Sequence, residues 1–317
     1  MKLLEIYKKL YLIRKAEELI IKHYKENEMK TPMHMSMGEE AIVVGVVAAL
    51  QKRDQVFGTY RSHGLYLAKT DDTDKFFAEL YGKVTGSARG RAGSMHLASP
   101  QKNMMLTSAV VGTTIPVAVG AALSNKFLKN KKIVASFFGD GAINEGVFWE
   151  SLNFACIRNL PILFVCEDNN FAIHSPLSER VGFKSIRDVV SQFYCHFENS
   201  DSTDVFEIYK ITSNMIKQMK KSGRPGFLHL KYYRYLEHVG VDEDFHFGYR
   251  SKKEFLKWKR IDPVSIARKY LMGARVKESD IISLEKSVDR ILALSINKAQ
   301  KASYPRDMEL FNNIYGS

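Results

Sequence analysis

An aspartate set between two glycines, Gly139-Asp140-Gly141, closes the short apolar run IVASFF at 133–138. A pair of asparagines, Asn169-Asn170, follows the next apolar run, ILFVCE at 162–167. Asp140 offers a carboxylate and Asn169, 29 residues later, an amide oxygen, and both are hard ligands. Two such oxygens are too few for a tight magnesium site built from protein alone, but they suit one in which phosphate oxygens complete the octahedron. The chemistry implied is a metal-bridged diphosphate. Glycine, aspartate and asparagine are also ordinary turn formers, so these words alone leave a purely structural turn open.

For the two side chains to meet, the elements between them must fold back. Residues 133–138 and 162–167 read as buried parallel strands. Between Asn144 and Asn159 the apolar positions Val147, Phe148, Leu152, Ala155 and Cys156 recur on one face at helical spacing. A right-handed strand-helix-strand crossover then puts Asp140 and Asn169 at the carboxyl ends of parallel strands, where open α/β sheets bind ligands. A helix beginning near residues 141–144 would aim free backbone N–H groups at an anion there. The predicted architecture is a three-layer α/β fold with a mainly parallel sheet, one domain over residues 1–317. It has an N-terminal helical segment at 1–30 and a helical C-terminal tail at 262–317, beyond a linker-like break, RIDPVS, at 260–265. The small-residue segment IPVAVGAALSNKF at 115–127 suits either a subunit interface or close internal packing.

Composition removes several function classes. A chain of 317 residues with 45% hydrophobic and 26% charged residues has the balance of a soluble globular protein. Its longest apolar run, AIVVGVVAAL at 41–50, is half of what a bilayer span needs. The amino terminus lacks the pattern of a signal peptide, so a cytoplasmic location is expected, with no membrane partner. Three cysteines, Cys156, Cys166 and Cys195, form neither a disulfide framework nor a zinc site. The net charge of +12 comes from 47 Lys and Arg spread along the chain, the one short run being KNKK at 129–132. That spread argues for a solvated surface and against nucleic acid.

Further words accompany the aspartate and asparagine: TYRSHG at 59–64, GRAGSMHL at 90–97, AVVGTTIPVAVGAAL at 109–123, and YYRYLEHVG followed by GYR within 232–250. Together and in this order they resemble the alpha subunit of the thiamine-diphosphate-dependent 2-oxo-acid and acetoin dehydrogenases, over about residues 10–310. The resemblance implies thiamine diphosphate and Mg2+ as cofactors, with Asp140, Asn169 and the carbonyl of Phe171 as metal ligands. It implies that Tyr60 and Arg61 meet the cofactor, that Gly139, Gly141 and Ala142 cradle its diphosphate through the backbone, and that Ala109 and Val111 touch its aminopyrimidine side. His238 is expected at the reacting centre and Arg234 as an organiser of loop and phosphate. His34, in PMHMSMGEE, is expected on the substrate side and points to pyruvate-sized ketones; a structural role stays open for it.

The implied activity is decarboxylation of a small 2-oxo acid, or cleavage of acetoin, with transfer of the acyl unit to a lipoyl acceptor. The implied partners are a beta subunit carrying the activating glutamate, in a heterotetramer, and a lipoyl acyltransferase. One loop departs from the family pattern. In LEHVGVDEDFHFGYR the first histidine of the family's HGH is Leu236, and acids appear at Glu237, Asp242, Glu243 and Asp244. No serine or threonine lies between Arg234 and Arg250, so control by phosphorylation there is not expected. The altered loop keeps two rivals in view: a carboligase working outside any lipoyl complex, and a catalytically silent cofactor-binding subunit.

Overall fold

The structure is a computed structural model describing residues 3–311; the extreme ends of the expected helical segments, residues 1–2 and 312–317, lie outside the described residues. In chain order the helices are α1 (Leu3–Tyr24), α2 (Glu40–Ala49), α3 (His63–Thr70), α4 (Thr73–Leu80), α5 (Thr114–Phe127), α6 (Gly146–Ile157), α7 (Ile186–Val190), α8 (Val205–Ser222), α9 (Lys252–Arg260), α10 (Pro263–Gly273) and α11 (Glu278–Lys301). The strands are β1 (Gln55–Thr59), β2 (Met104–Ser108), β3 (Val134–Gly139), β4 (Ile162–Asp168), β5 (Phe171–Ala172), β6 (Ser175–Pro176), β7 (His196–Ser200) and β8 (Gly226–Lys231). Six of them form one sheet in the order β2-β1-β3-β4-β8-β7, every pair parallel.

Strands covered on both faces must be apolar on both. All seven residues of β4 are buried, and they alternate: Leu163 and Val165 enter one core, while Ile162, Phe164 and Cys166 enter the other. Ala135 and Phe137 of β3 join the first core, and Val134 and Phe138 the second. The second core packs Phe138, Phe148, Phe164 and Phe227, with ring centroids 5.4–6.5 Å apart, beneath α5 and α6. The first lies under α1, α2, α3, α8 and the C-terminal helices, completing the third layer. There α2 and α8 touch so closely that a Cβ on Gly45 would stand 2.7 Å from Ile208 Cγ2.

Two expectations need correction. The helix after Asp140 begins at Gly146, because residues Asp140–Asn144 first wind into a tight 310 turn and Glu145 is extended, at φ −80° and ψ 132°. The segment RIDPVS is no loose linker. Asp262 in it is buried, caps α10 by accepting from the Ser265 N–H at 3.0 Å, and pairs with Arg14 of α1 at 2.8 Å. The expected tail is thereby tied to the N-terminal helix. Among the described residues no helix is long and apolar enough to cross a membrane.

Candidate active site

The strand order reverses direction between β1 and β3, and at that switch point the loops after neighbouring strands diverge and leave a crevice. A cavity of about 230 Å³ opens there, lined by the loops that follow β1, β2, β3, β4 and β8. Tyr60, Arg61, Val111, Gly139, Asp140, Gly141, Ala142, Asn169, Phe171 and His238, all singled out from the sequence, line it. Ala109 and Arg234 lie outside the lining, and His34 stands just behind it.

On one wall Asp140 is buried, and the guanidinium of Arg180 donates to its Oδ2. Burial, and then the neighbouring Asp168, push the Asp140 carboxyl up to about 6 in spite of Arg180. Asp168 goes the other way. Burial opposes its ionisation, but His229 Nε2 at 2.8 Å and the Asn170 N–H at 2.7 Å outweigh it and hold the carboxyl below its ordinary range. Asn169 is held at both ends, its Oδ1 accepting from the Phe171 N–H at 3.1 Å and its Nδ2 donating to Tyr232 Oη at 3.0 Å. The loops after β3 and β4 sit so close that a Cβ on Gly141 would come within 3.1 Å of Ala172 Cβ. A carboxylate, an amide oxygen and a backbone turn thus converge, with an internal cation on the carboxylate.

The other wall is built of rings. His34 and Tyr60 lie 4.4 Å apart by centroids, and His238 stands edge-on to both, at 5.3 Å and 5.7 Å. Burial and the Arg61 charge push both imidazoles far down, His34 to about 2 and His238 to about 3. Both shifts favour the neutral imidazole. His34 Nδ1 is buried with no partner among the described residues. Arg61 is itself committed: Nη1 donates to Met35 O at 2.8 Å and Nη2 to His238 O at 3.1 Å. A single arginine therefore fixes the backbones that carry both histidines.

Two further acids face the cavity. Glu39 and Glu167 are buried; the Glu39 carboxylate makes no hydrogen bond of normal geometry, and one Glu167 oxygen has none. Burial pushes both carboxyls up, only partly opposed by Arg61. Both lie in segments singled out above, PMHMSMGEE and ILFVCE, but their proximity across 128 residues has no local signature. Arg180 likewise carries no motif.

The divergent loop after β8 is rigidly built. Asp244, completely buried, accepts from Arg250 Nε at 2.7 Å, from Arg234 Nη2 at 3.5 Å and from Tyr249 Oη. Arg234 is turned into this hub and onto Leu236 O at 3.0 Å. Glu237 folds back so that Oε1 accepts from the Asp242 N–H at 3.1 Å, over Gly240 at φ 129°. The loop is then stitched to the His34 segment, Gly240 N–H donating to Met33 O at 2.8 Å and Tyr235 N–H to Met37 O at 3.1 Å. Two of the acids that set this loop apart, Glu237 and Asp244, are its internal fasteners.

The chain matches the family described as dehydrogenase E1 component over residues 8–307. It is 31% identical over 319 residues to the alpha subunit of acetoin:2,6-dichlorophenolindophenol oxidoreductase of Bacillus subtilis (strain 168), covering 100% of this chain and 94% of that one. It is 33% identical to the pyruvate dehydrogenase E1 component alpha subunit of Zymomonas mobilis, over 98% of this chain and 88% of the relative. It is 31% identical to the chloroplastic pyruvate dehydrogenase E1 alpha-3 subunit of Arabidopsis thaliana, over 98% and 74%.

Proposed function

The chain belongs to the dehydrogenase E1 component family, and from that premise we propose that it is the thiamine-diphosphate-binding alpha subunit of a heterotetrameric 2-oxo-acid or acetoin dehydrogenase. The observation that carries the proposal is the convergence of Asp140 and Asn169 on one cavity at the switch point of the sheet. Their oxygens and the Phe171 carbonyl are the hard donor set that Mg2+ takes, and Gly141 and Ala142 lie at the start of a helical turn, whose first N–H groups lack partners within the turn. Unpartnered acceptors on Glu39, Glu167 and His34 beside the cavity leave polar atoms for a ligand to satisfy.

The bound cofactor supplies the electron sink into which the bond to a departing carboxylate breaks. This chain's residues do the rest of the work on their side. Asp140, which accepts from Arg180 here, would hold the metal together with Asn169 and the Phe171 carbonyl. Tyr60 and Arg61 border the diphosphate, Arg61 also holding the backbone of His238. His238 and His34, kept neutral, offer ring nitrogens to the substrate and its product. The small, ring-lined wall favours a pyruvate-sized ketone.

The cavity, about 230 Å³, is smaller than the ~300–1,000 Å³ of a complete small-molecule site. Val110 and Val111 at its rim are 62% and 44% exposed. Both features support a beta subunit closing the site and bringing the activating glutamate. The acyl unit then passes to a lipoyl acyltransferase, with dichlorophenolindophenol as a convenient artificial acceptor. Co-expression with a family beta chain, and a panel of 2-oxo acids and acetoin, tests the reading. We expect turnover by the pair, dependent on Mg2+ and thiamine diphosphate, and none by the isolated chain. Robust turnover by the single chain, or cofactor binding indifferent to Mg2+, would overturn it.

A further inference from the structure

At the opposite end of the sheet, where β3 and β4 begin, lies a second cavity, of about 580 Å³. Seven cations line it and no acid does. Lys126 and Lys220 come from the last turns of α5 and α8. Lys129, Lys131 and Lys132 come from the turn leading into β3, Arg224 follows α8, and Arg53 precedes β1. Ile133 and Met219, both buried, and Pro161 give it an apolar floor.

Cations at helix C-termini are favoured by the helix dipole, which accounts for Lys126 and Lys220 without any ligand. It does not account for the other five, which lie outside those turns. Among the described residues none of the seven pairs with a carboxylate. Asp54, beside Arg53 in the chain, is buried and turned inward, Oδ1 accepting from the Ile133 N–H at 2.9 Å and Oδ2 from the Gln51 N–H at 2.8 Å. The turn that presents the lysines is braced. Asn130 donates to Asn125 Oδ1 at 2.9 Å and accepts from the Lys132 N–H at 3.0 Å. Lys129 and Lys131 are held at φ 51° and 57°, a left-handed conformation that strains an L-residue. Glycine or asparagine would occupy those positions more easily, yet lysines do.

We propose that this cavity binds a small oligophosphate anion, the chemistry shared by nucleoside di- and triphosphates and by inorganic polyphosphate. Its volume falls within the range of single small-molecule sites, and its cations converge on one hollow where nucleic acid would need a stripe across the surface. The site is separate from the cofactor cavity, and only its test draws on the function proposed above.

The test is isothermal titration of the assembled alpha–beta enzyme, already saturated with thiamine diphosphate and Mg2+ so that the first cavity is filled. The probes are adenosine triphosphate, inorganic tripolyphosphate and adenosine. We expect one saturable triphosphate site per alpha chain, weakening as salt is raised, and none for adenosine. Binding should fall at least tenfold in a Lys131→Glu/Arg224→Glu variant whose melting temperature and decarboxylation are unchanged. Tighter binding of the nucleotide than of tripolyphosphate identifies the nucleotide as the source, and equal binding identifies the phosphate chain alone; both uphold the site. Absence of saturable binding by either triphosphate, binding unaltered in the variant, or displacement by a short single-stranded oligonucleotide at equal phosphate concentration overturns it.

Discussion

The two ends of the parallel sheet treat charge in opposite ways. At the carboxyl ends Asp140, Asp168, Arg61, Glu39 and Glu167 are all buried; Asp140 accepts from Arg180, Asp168 faces His229 Nε2 at 2.8 Å, and Arg61 donates to backbone carbonyls. At the amino ends Arg53, Lys126, Lys129, Lys131, Lys220 and Arg224 stand exposed, and among the described residues none of them pairs with a carboxylate. The six residues of β3 span roughly 20 Å between them. Buried groups alter one another's proton affinity, which suits bond making and breaking. Exposed ones act through the field they set up for a visiting anion. The same strands thus carry a site that works by perturbation and one that would work by attraction.

The most severe way to break this contrast is to remove the carboxylate at the centre of the first end. Asp140→Ala should abolish decarboxylation and weaken Mg2+-dependent cofactor binding well beyond the ~10–100-fold typical of losing an outer-shell partner of a metal ligand. Calorimetry with and without Mg2+ would measure it. Unchanged, Mg2+-dependent affinity in the variant would remove Asp140 from the metal site.

Asp244→Ala comes next. It leaves Arg234 and Arg250 buried beside no counter-charge, a loss of ~3–5 kcal/mol where a buried pair loses one partner. Thermal or urea unfolding of the variant should show that loss, and Asp244→Asn less of it. A variant as stable as the parent would mean that the loop holds its shape without this hub.

Asp140 and Asn169 were legible from the sequence because a strand-helix-strand unit is a local object, and its period and turn residues lie within one 40-residue window. Arg180 was not, since its contact with Asp140 crosses a loop with no motif. The proximity of Glu39 to Glu167 was invisible for the same reason: nothing in either neighbourhood says that β4 ends beside α2. RIDPVS misled because an Asp-Pro pair has the composition of a turn, and only the tertiary partner Arg14 shows that Asp262 is buried. Glu237 and Asp244 of the divergent loop were visible as residues, but their role as fasteners depends on geometry. At the amino ends the cations were visible too, yet their convergence was hidden, because they arrive from three separate stretches of chain.

A milder test sharpens the contrast through protons. His238→Ala should lower turnover by ~10²-fold, the small end of general acid–base effects, with little loss of cofactor affinity, while His34→Ala should act on KM. The folded state keeps both imidazoles neutral, far below the ordinary range near 6.5 at which they protonate when unfolded. Between about pH 6.5 and pH 3 the unfolded chain therefore binds protons that the native one refuses, so stability falls as pH falls. A His34→Gln/His238→Gln variant should lose less stability than the parent between pH 7 and pH 5 in urea titrations. Parallel curves would show that these rings are not the groups refusing protons.

The smallest effect expected lies at the other end and has the opposite sign. Lys131 holds φ 57°, where an L-residue is strained by ~1–2 kcal/mol. Glycine relieves that strain but costs ~0.5–1 kcal/mol in unfolded-chain entropy. Lys131→Gly should therefore stabilise the chain by ~0.5–1 kcal/mol, since its side chain is exposed and pairs with no carboxylate among the described residues. The same substitution removes one of the seven cations and should weaken tripolyphosphate binding severalfold. Unfolding and titration on one variant would read both quantities. A gain in stability with a loss of affinity fits a residue kept for its charge at the expense of its backbone, whereas a loss of stability would show that Lys131 is held in place by packing.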